Sequence, residues 1–184
     1  MDPIRELRNE HRGVETMLGI LENMTARYAQ ELDVDAQDLD AVLEFLSVFV
    51  DQCHHGKEEE FLFPALEAAG VPKDHGPIGV MLQEHQQGRR LVAELGDVSE
   101  KLKFGDRSAG KTIAKIYADY VDLLKQHIEK EESILFHMAE DMLGSGKKYE
   151  LWEAFEKLEK ERIGPGRHEA FHQLLDRLQQ AYCG

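Results

Sequence analysis

A ten-residue segment rich in histidine and glutamate occurs twice in this chain of 184 residues. Residues 54–63 read HHGKEEEFLF, and residues 127–136 read HIEKEESILF. Each copy places a histidine four residues before a glutamate, so on a helix the imidazole and the carboxylate point the same way. The two pairs are His54 with Glu58 and His127 with Glu131.

A further histidine precedes each copy at nearly the same distance. His11 lies 43 residues before His54, and His85 lies 42 residues before His127. The repeated order, a histidine followed by a His-x-x-x-Glu pair, indicates a duplicated half-site. We therefore predict that four helices hold two metal ions between them.

The donor atoms of this pattern favour a particular kind of metal centre. Four imidazoles and two carboxylates, without a thiolate, suit iron, manganese or zinc. Two carboxylates shared by four histidines are most simply bridges between two ions. We predict two non-haem iron ions with an oxo or hydroxo bridge (Fe–O–Fe or Fe–OH–Fe), and manganese or zinc as possible substitutes. The predicted metal ligands are His11, His54, Glu58, His85, His127 and Glu131.

The rest of the chain is patterned as helices that could position these residues. Apolar residues recur at three- and four-residue spacing, which is typical of amphipathic helices. Four long helices are predicted over about 3–29, 37–69, 78–105 and 113–144, and two short ones over 147–162 and 165–182. Each long apolar stripe is interrupted by one predicted histidine ligand, and the histidines of each hairpin lie at similar distances from its loop.

These patterns predict an all-α fold. We expect an antiparallel up-down four-helix bundle over residues 1–143, with a short helical tail over residues 144–184 that packs on it within the same domain. Six polar groups on core faces would cost about 1–3 kcal/mol each if they were buried without partners. A shared metal centre would offset that cost.

Composition and charge restrict the expected binding partners and the expected cellular location of the protein. A formal charge of −14 argues against nucleic acid and anionic membranes as partners, because phosphate binding needs a basic patch. The absence of a long apolar run and the charged N-terminal residues predict neither a membrane span nor a secretory signal. Two cysteines are too few for a disulfide framework, so a cytoplasmic protein is expected.

The chain resembles hemerythrin-like (HHE cation-binding) proteins. The motifs that carry the resemblance are NEH at 9–11, CHHGKEEEFLFP at 53–64, QEH at 83–85 and QHIEKEESILF at 126–136. The resemblance covers roughly residues 1–143. It implies an up-down four-helix bundle with a non-haem di-iron centre, held by the same six ligands that the repeat predicts.

One departure from that family concerns the third helix. Oxygen-carrying hemerythrins have a fifth histidine one turn from the third-helix ligand, whereas the positions four residues from His85 are Met81 and Arg89. We therefore expect a vacancy at the metal nearest the third helix. His55 is turned about 100° from His54 on an α-helix and is expected to face outward or towards the hairpin partner.

Three functions fit this ligand set. The first is binding of O2 or a related small ligand such as NO or peroxide. The second is an enzyme that degrades peroxide or acts in nitric-oxide and iron–sulfur damage chemistry, as some relatives do, and the missing fifth histidine favours it. The third is an iron or oxygen sensor that acts through a protein partner of unknown identity. The ligands alone do not separate binding from turnover.

Several other residues near the motifs have simpler interpretations. Glutamates next to the ligands are expected to face solvent or to support the ligands rather than to bind metal; they are Glu10, Glu59, Glu84 and Glu132. Cys53 is expected to be a small buried thiol. His168 and His172 are expected to be an ordinary pair on a tail helix. Pro64 should kink the second helix, because it removes a backbone hydrogen bond.

Overall fold

The computed structural model describes residues 2–30 and 34–184, and these residues are predominantly helical, without a β-strand. The all-α class predicted from the sequence is confirmed. Within the described residues there are six helices: α1 (Pro3–Ala29), α2 (36–68), α3 (Pro77–Lys103), α4 (109–142), α5 (145–163) and α6 (Arg167–Tyr182). Their bounds differ from the predicted ones by only a few residues.

The starts of the helices carry the expected local signals. The carboxylate of Asp2 accepts hydrogen bonds from the backbone N–H groups of Ile4 and Arg5, and Pro3 occupies the first helical position of α1. Asp35 caps α2 in the same way. Gly76, with φ of +142°, precedes Pro77 at the start of α3, which is a backbone conformation that side chains disfavour.

Wide π-helical turns interrupt α2 and α4. They cover Phe45–His55 and Glu58–Leu62 in α2 and Glu131–Leu135 in α4. In a π turn each N–H bonds five residues back, so one turn holds more residues than the 3.6 of an α-helix. The turn in α2 lies just before Pro64, but α4 has the same turn before His137. The proline is therefore not required for it.

The long helices cross a polar layer between two apolar clusters. In α1, Leu7 belongs to one cluster and Val14 to the other, and His11 lies between them. In α4, His127 lies between Leu124 and Leu135, and the two clusters follow in the opposite order along the chain. The polar layer is thus enclosed by apolar side chains on both sides along the helix axes.

The C-terminal helices pack on the first two helices. Both α5 and α6 contact α1 and α2. Phe171 and Leu175 of α6 join one apolar cluster, and Phe155 of α5 joins the other. Cys53 of α2 packs against Leu158 in α5. Among the described residues, no helix combines the length and apolar character needed to cross a membrane.

Candidate metal centre

The six predicted ligands meet in the polar layer, and each side chain is at most 2% exposed. The Nε2 atoms of His11 and His54 are 3.1 Å apart, and so are those of His85 and His127. The histidines of each hairpin therefore lie level, as predicted. Metal–nitrogen bonds of about 2.0–2.1 Å at a right angle place two nitrogens roughly 3 Å apart. Each imidazole pair has the spacing of neighbouring ligands on one ion.

The two carboxylates lie between the imidazole pairs. One oxygen of Glu58 is 3.6 Å from His54 Nε2, and its other oxygen is 3.4 Å from His85 Nε2. Glu131 repeats this arrangement, with one oxygen 3.1 Å from His11 Nε2 and the other 3.3 Å from His127 Nε2. Each carboxylate thus presents one oxygen to each imidazole pair, which is the arrangement of a bridging ligand.

Carboxylate oxygens without hydrogen-bond partners indicate that this site binds a cation. Neither oxygen of Glu58 nor Oε1 of Glu131 has a hydrogen-bond partner among the described residues. A buried polar group left in that state costs about 1–3 kcal/mol, and a charged one more. Burial, together with the charge of Glu131, raises the pKa of Glu58 well above its usual range. The donor set and its unpaired oxygens therefore fit a pair of metal ions.

A carboxylate orients each of the four imidazoles from the side of the ring that faces away from the centre. Each Nδ1–H donates to a glutamate that neighbours a predicted ligand on another helix: His11 to Glu132 (2.8 Å), His54 to Glu10 (2.8 Å), His85 to Glu59 (2.6 Å) and His127 to Glu84 (3.0 Å). These glutamates support the imidazoles, in agreement with the sequence interpretation. The hydrogen bonds direct each Nε2 towards the centre, as in metal sites generally.

Each supporting glutamate is in turn paired with a cation. The pairs are Glu132 with Arg8 (2.9 Å), Glu10 with Lys57 (2.5 Å), Glu59 with Arg89 (2.8 Å) and Glu84 with Lys130. These four cations were missed in the sequence interpretation. For the two lysines a signal was present, because Lys57 and Lys130 each follow a ligand histidine by three residues in the repeat. The inner carboxylates, Glu58 and Glu131, have no lysine or arginine partner among the described residues, so their oxygens remain available to bound metal.

Protonation differs among the imidazoles. Burial lowers the pKa of His54 and of His85 well below the usual value, so both rings are neutral, as metal ligands must be. Burial alone would also lower the pKa of His11, but hydrogen bonds to Glu131 and Glu132 raise it to about 9. His11 therefore carries, in the metal-free protein, a proton that metal must displace.

The prediction that His55 faces outward or towards the hairpin partner is wrong. This side chain is 4% exposed, and its ring stacks on that of His85 in α3 with centroids 3.8 Å apart. The reason lies in helix packing, because α2 contacts both α1 and α3. His54 therefore meets His11 of α1, and His55, one residue further round the helix, meets His85 of α3.

The expected vacancy at the metal nearest the third helix stays a prediction. Helix α3 supplies no second imidazole, as predicted, since Met81 is buried in an apolar cluster. Arg89 donates hydrogen bonds to Asp51 (2.7 Å) and Glu59 (2.8 Å) instead. The ring of His55, which α2 supplies, lies against the face of His85.

A second cluster of acidic groups and histidine links the centre to the tail. Glu10, Glu159 and His168 lie close together, and the buried ammonium of Lys57 contacts Glu10 at 2.5 Å and Glu159 at 3.2 Å. Lys57 already supplies the cation here, so we assign no metal to this cluster. Cys53 nearby is a buried thiol, as predicted, and burial raises its pKa to about 12.

The contact between Glu159 and His168 makes the stability of the tail depend on pH. Their hydrogen bond (3.1 Å) raises the pKa of His168 and lowers that of Glu159 to about 2. Stabilisation by His168 is therefore complete below its unfolded pKa and is lost as pH rises through the raised folded value. We expect His168→Gln to lower the free energy of unfolding by up to about 1 kcal/mol near pH 6.

The check is chemical denaturation of both proteins at two pH values. The difference between them should shrink towards zero at about pH 9, where an unperturbed histidine is neutral. A difference that stays constant over this range would show that packing, and not the ion pair, is responsible.

Comparison with known proteins agrees with this geometry. The hemerythrin HHE cation-binding domain matches residues 2–139, which include all six predicted ligands. Uncharacterised proteins of Mycobacterium tuberculosis and Mycobacterium bovis are each 25% identical over 173 residues, which is 94% of this chain and 66% of the relative. No solved structure gives a significant match.

Two relatives carry names that describe a function. The iron–sulfur cluster repair protein YtfE of Edwardsiella ictaluri is 30% identical over 114 residues, or 60% of this chain and 46% of that protein. The iron–sulfur cluster repair protein DnrN of Neisseria gonorrhoeae is 33% identical over 87 residues, or 45% of this chain and 54% of that protein. The chain spans less than two thirds of the length of each of these relatives. By its domain match and the arrangement of its histidines and glutamates, this chain belongs to the hemerythrin HHE cation-binding domain family.

Proposed function

We propose that this protein holds two non-haem iron ions and binds O2 or a related small ligand, NO or peroxide, at that centre. The observation that carries the proposal is the position of Glu58 and Glu131, each with one oxygen directed at each imidazole pair. A single metal ion would use only one of these pairs. Two ions would use both pairs and all four carboxylate oxygens.

Each of the six predicted ligands would have a defined role in binding the metal ions. His11 and His54 would bind one ion, His85 and His127 the other, and the two glutamates would bridge them; manganese or zinc could substitute for iron with the same donors. Iron, when bound, supplies redox chemistry and coordination positions for small ligands. The protein orients the imidazoles through four glutamates and limits access by water with the rings of Phe136 and Phe63, which stack on His11 and His85.

The proposal includes the architecture around the centre. Helices α1 to α4 would form an antiparallel up-down bundle over residues 1–143, and residues 144–184 would be a tail within the same domain. Contacts of α5 and α6 with α1 and α2 support this division. Both cysteines are free, which supports a reducing compartment such as the cytoplasm.

A second candidate function is repair of damaged iron–sulfur clusters or removal of NO or peroxide. The names of the two repair proteins favour it, although they match only part of this chain. Such turnover would use the same centre. The distinction between binding and turnover is therefore a matter of measurement on the loaded protein.

The first measurement is the amount of metal bound. We expect two iron ions per chain after anaerobic loading with Fe(II), because the two imidazole pairs share both carboxylates. Elemental analysis with protein quantification gives the ratio. One ion per chain in the wild type, combined with full loading of a Glu131→Ala variant, would refute the two-metal centre.

The second measurement separates the two candidate functions. The loaded, reduced protein is exposed to O2, NO or peroxide while the visible spectrum is recorded. A spectral change that reverses when the ligand is removed supports a binding protein. Rapid oxidation with continued consumption of peroxide or NO supports an enzyme.

A further inference from the structure

One buried imidazole beside the centre has no hydrogen-bonding role. Neither ring nitrogen of His55 has a hydrogen-bond partner among the residues that the structure describes, although the side chain is 4% exposed. His55, Glu58, His85 and His127 each present a donor atom within 4.8 Å of the others. An unpaired imidazole at that distance from three predicted ligands is close enough to become a ligand when its ring turns from its stack on His85.

The surroundings of His55 repeat those of the other four imidazoles. Its Nδ1 lies 3.5 Å from Asp51 Oδ1, and Asp51 accepts a hydrogen bond of 2.7 Å from Arg89. The other imidazoles have the same order of ring, carboxylate and cation. Because Nδ1 faces the carboxylate in each case, Nε2 is the nitrogen left for metal.

The internal repeat shows that this fifth imidazole is present at one end only. The offset that aligns the two ten-residue segments aligns His55 with Ile128. Ile128 is buried and apolar, so it cannot act as a ligand. The half of the centre that contains His85 thus gains an imidazole, whereas the half that contains His11 has an isoleucine at the equivalent position.

We propose that His55 binds the metal held by His85 and His127, so that the two ends of the centre are chemically unequal. The inference rests on the proposed two-metal centre. The metal with three imidazoles has fewer positions left than the metal held by His11 and His54.

A cavity beside His55 provides a way to test ligation directly. It has a volume of about 210 Å³ and is lined by His55 together with Asp51, Gly88, Arg89, Val92 and Tyr120. If the side chain of His55 is removed, free imidazole can enter through this cavity and occupy the vacated position. A ligand role is restored by that treatment, whereas a packing role is not restored by a ring that lacks attachment to the chain.

The experiment compares His55→Ala with His55→Phe after metal loading. We expect both to bind the second metal at least about 10-fold more weakly than the wild type, because each lacks the nitrogen donor. Added imidazole should restore metal content in His55→Ala. It should not restore it in His55→Phe, because the phenyl ring fills the space. His172→Phe, at an exposed tail position, is the matched control and should behave as the wild type.

X-ray absorption of the loaded wild-type protein gives a test that needs no variant. Five imidazoles shared by two metals are expected, and four would overturn the inference. Wild-type metal content and spectrum in His55→Phe would overturn it as well, since that change preserves an aromatic ring against His85. Neither result would affect the two-metal centre itself, which fails only if the wild type does not bind two ions.

Discussion

Replacing Glu58 with glutamine will abolish binding of at least one metal ion without destabilising the metal-free protein. In the metal-free state both oxygens of Glu58 are buried and lack partners among the described residues. A neutral amide of the same size removes a buried acidic group whose charged form burial disfavours. We therefore expect an unchanged or slightly higher melting temperature without metal.

With metal present the order of stability should reverse. Metal that binds only the folded state stabilises it, by about 2.7 kcal/mol when its concentration is 100 times the dissociation constant. Glu58→Gln should lose most of that increment, and Glu131→Gln should do the same because it occupies the equivalent place in the repeat. Thermal unfolding with and without Fe(II), together with metal analysis, measures both effects.

Glu60→Gln is the matched control for these variants. Glu60 lies two residues from Glu58, but it is exposed and pairs with Arg162 at the surface. It should keep full metal content and lose at most about 1 kcal/mol of stability. Equal loss of metal in Glu60→Gln and Glu58→Gln would mean that the bridging role has been assigned wrongly.

Lys57→Met should be the most destabilising single substitution considered for this chain. The ammonium of Lys57 is fully buried and contacts the carboxylates of Glu6 (2.6 Å), Glu10 (2.5 Å) and Glu159 (3.2 Å). Burial alone would lower the pKa of Lys57, but these carboxylates raise it above its usual value, so the group stays charged. Its removal leaves the buried carboxylate of Glu10 without its cation, at a cost of about 3–5 kcal/mol.

The same substitution should weaken metal binding. Glu10 accepts the Nδ1 proton of His54, and Lys57 holds Glu10 in place. Loss of such outer support weakens metal affinity by about 10–100-fold. Urea denaturation of the metal-free protein and titration with Fe(II) separate the effect on folding from the effect on binding.

Two further variants make the Lys57 prediction specific. Lys115→Met removes an exposed lysine that pairs with Asp119 four residues away, and it should leave the free energy of unfolding nearly unchanged. The double variant Lys57→Met with Glu10→Gln should be more stable than Lys57→Met alone, because one of the unpaired charges is gone. If Lys57→Met is as mild as Lys115→Met, the buried network contributes little.

Most residues of the candidate centre could be predicted from their spacing in the sequence. Histidine and glutamate four residues apart share one face of a helix whichever protein contains them, because the helical period is a local property. Because these pairs are duplicated and lie within apolar stripes, the sequence predicted that His54, Glu58, His127 and Glu131 lie close together. The structure places them together as well. The all-α class followed from the same periodicity.

The supporting contacts could not be predicted in the same way. The structure pairs Glu10 with His54 on the neighbouring helix, although the adjacent residue in the sequence is His11. Similarly, Lys57 reaches Glu159 in the tail. These contacts join residues that are far apart in the sequence, and they depend on the relative position and rotation of packed helices. Local periodicity contains no information about either quantity.

The sequence by itself determined which residues form the candidate centre: four level histidines and two glutamates, in two related halves. Only the tertiary structure decided that a fifth imidazole lies beside them. His55 is one residue further round the helix than His54, and only the packing of the helices decides whether that direction meets solvent or a neighbour. Packing of α2 against α3 places the ring on His85, a contact that residue spacing did not predict.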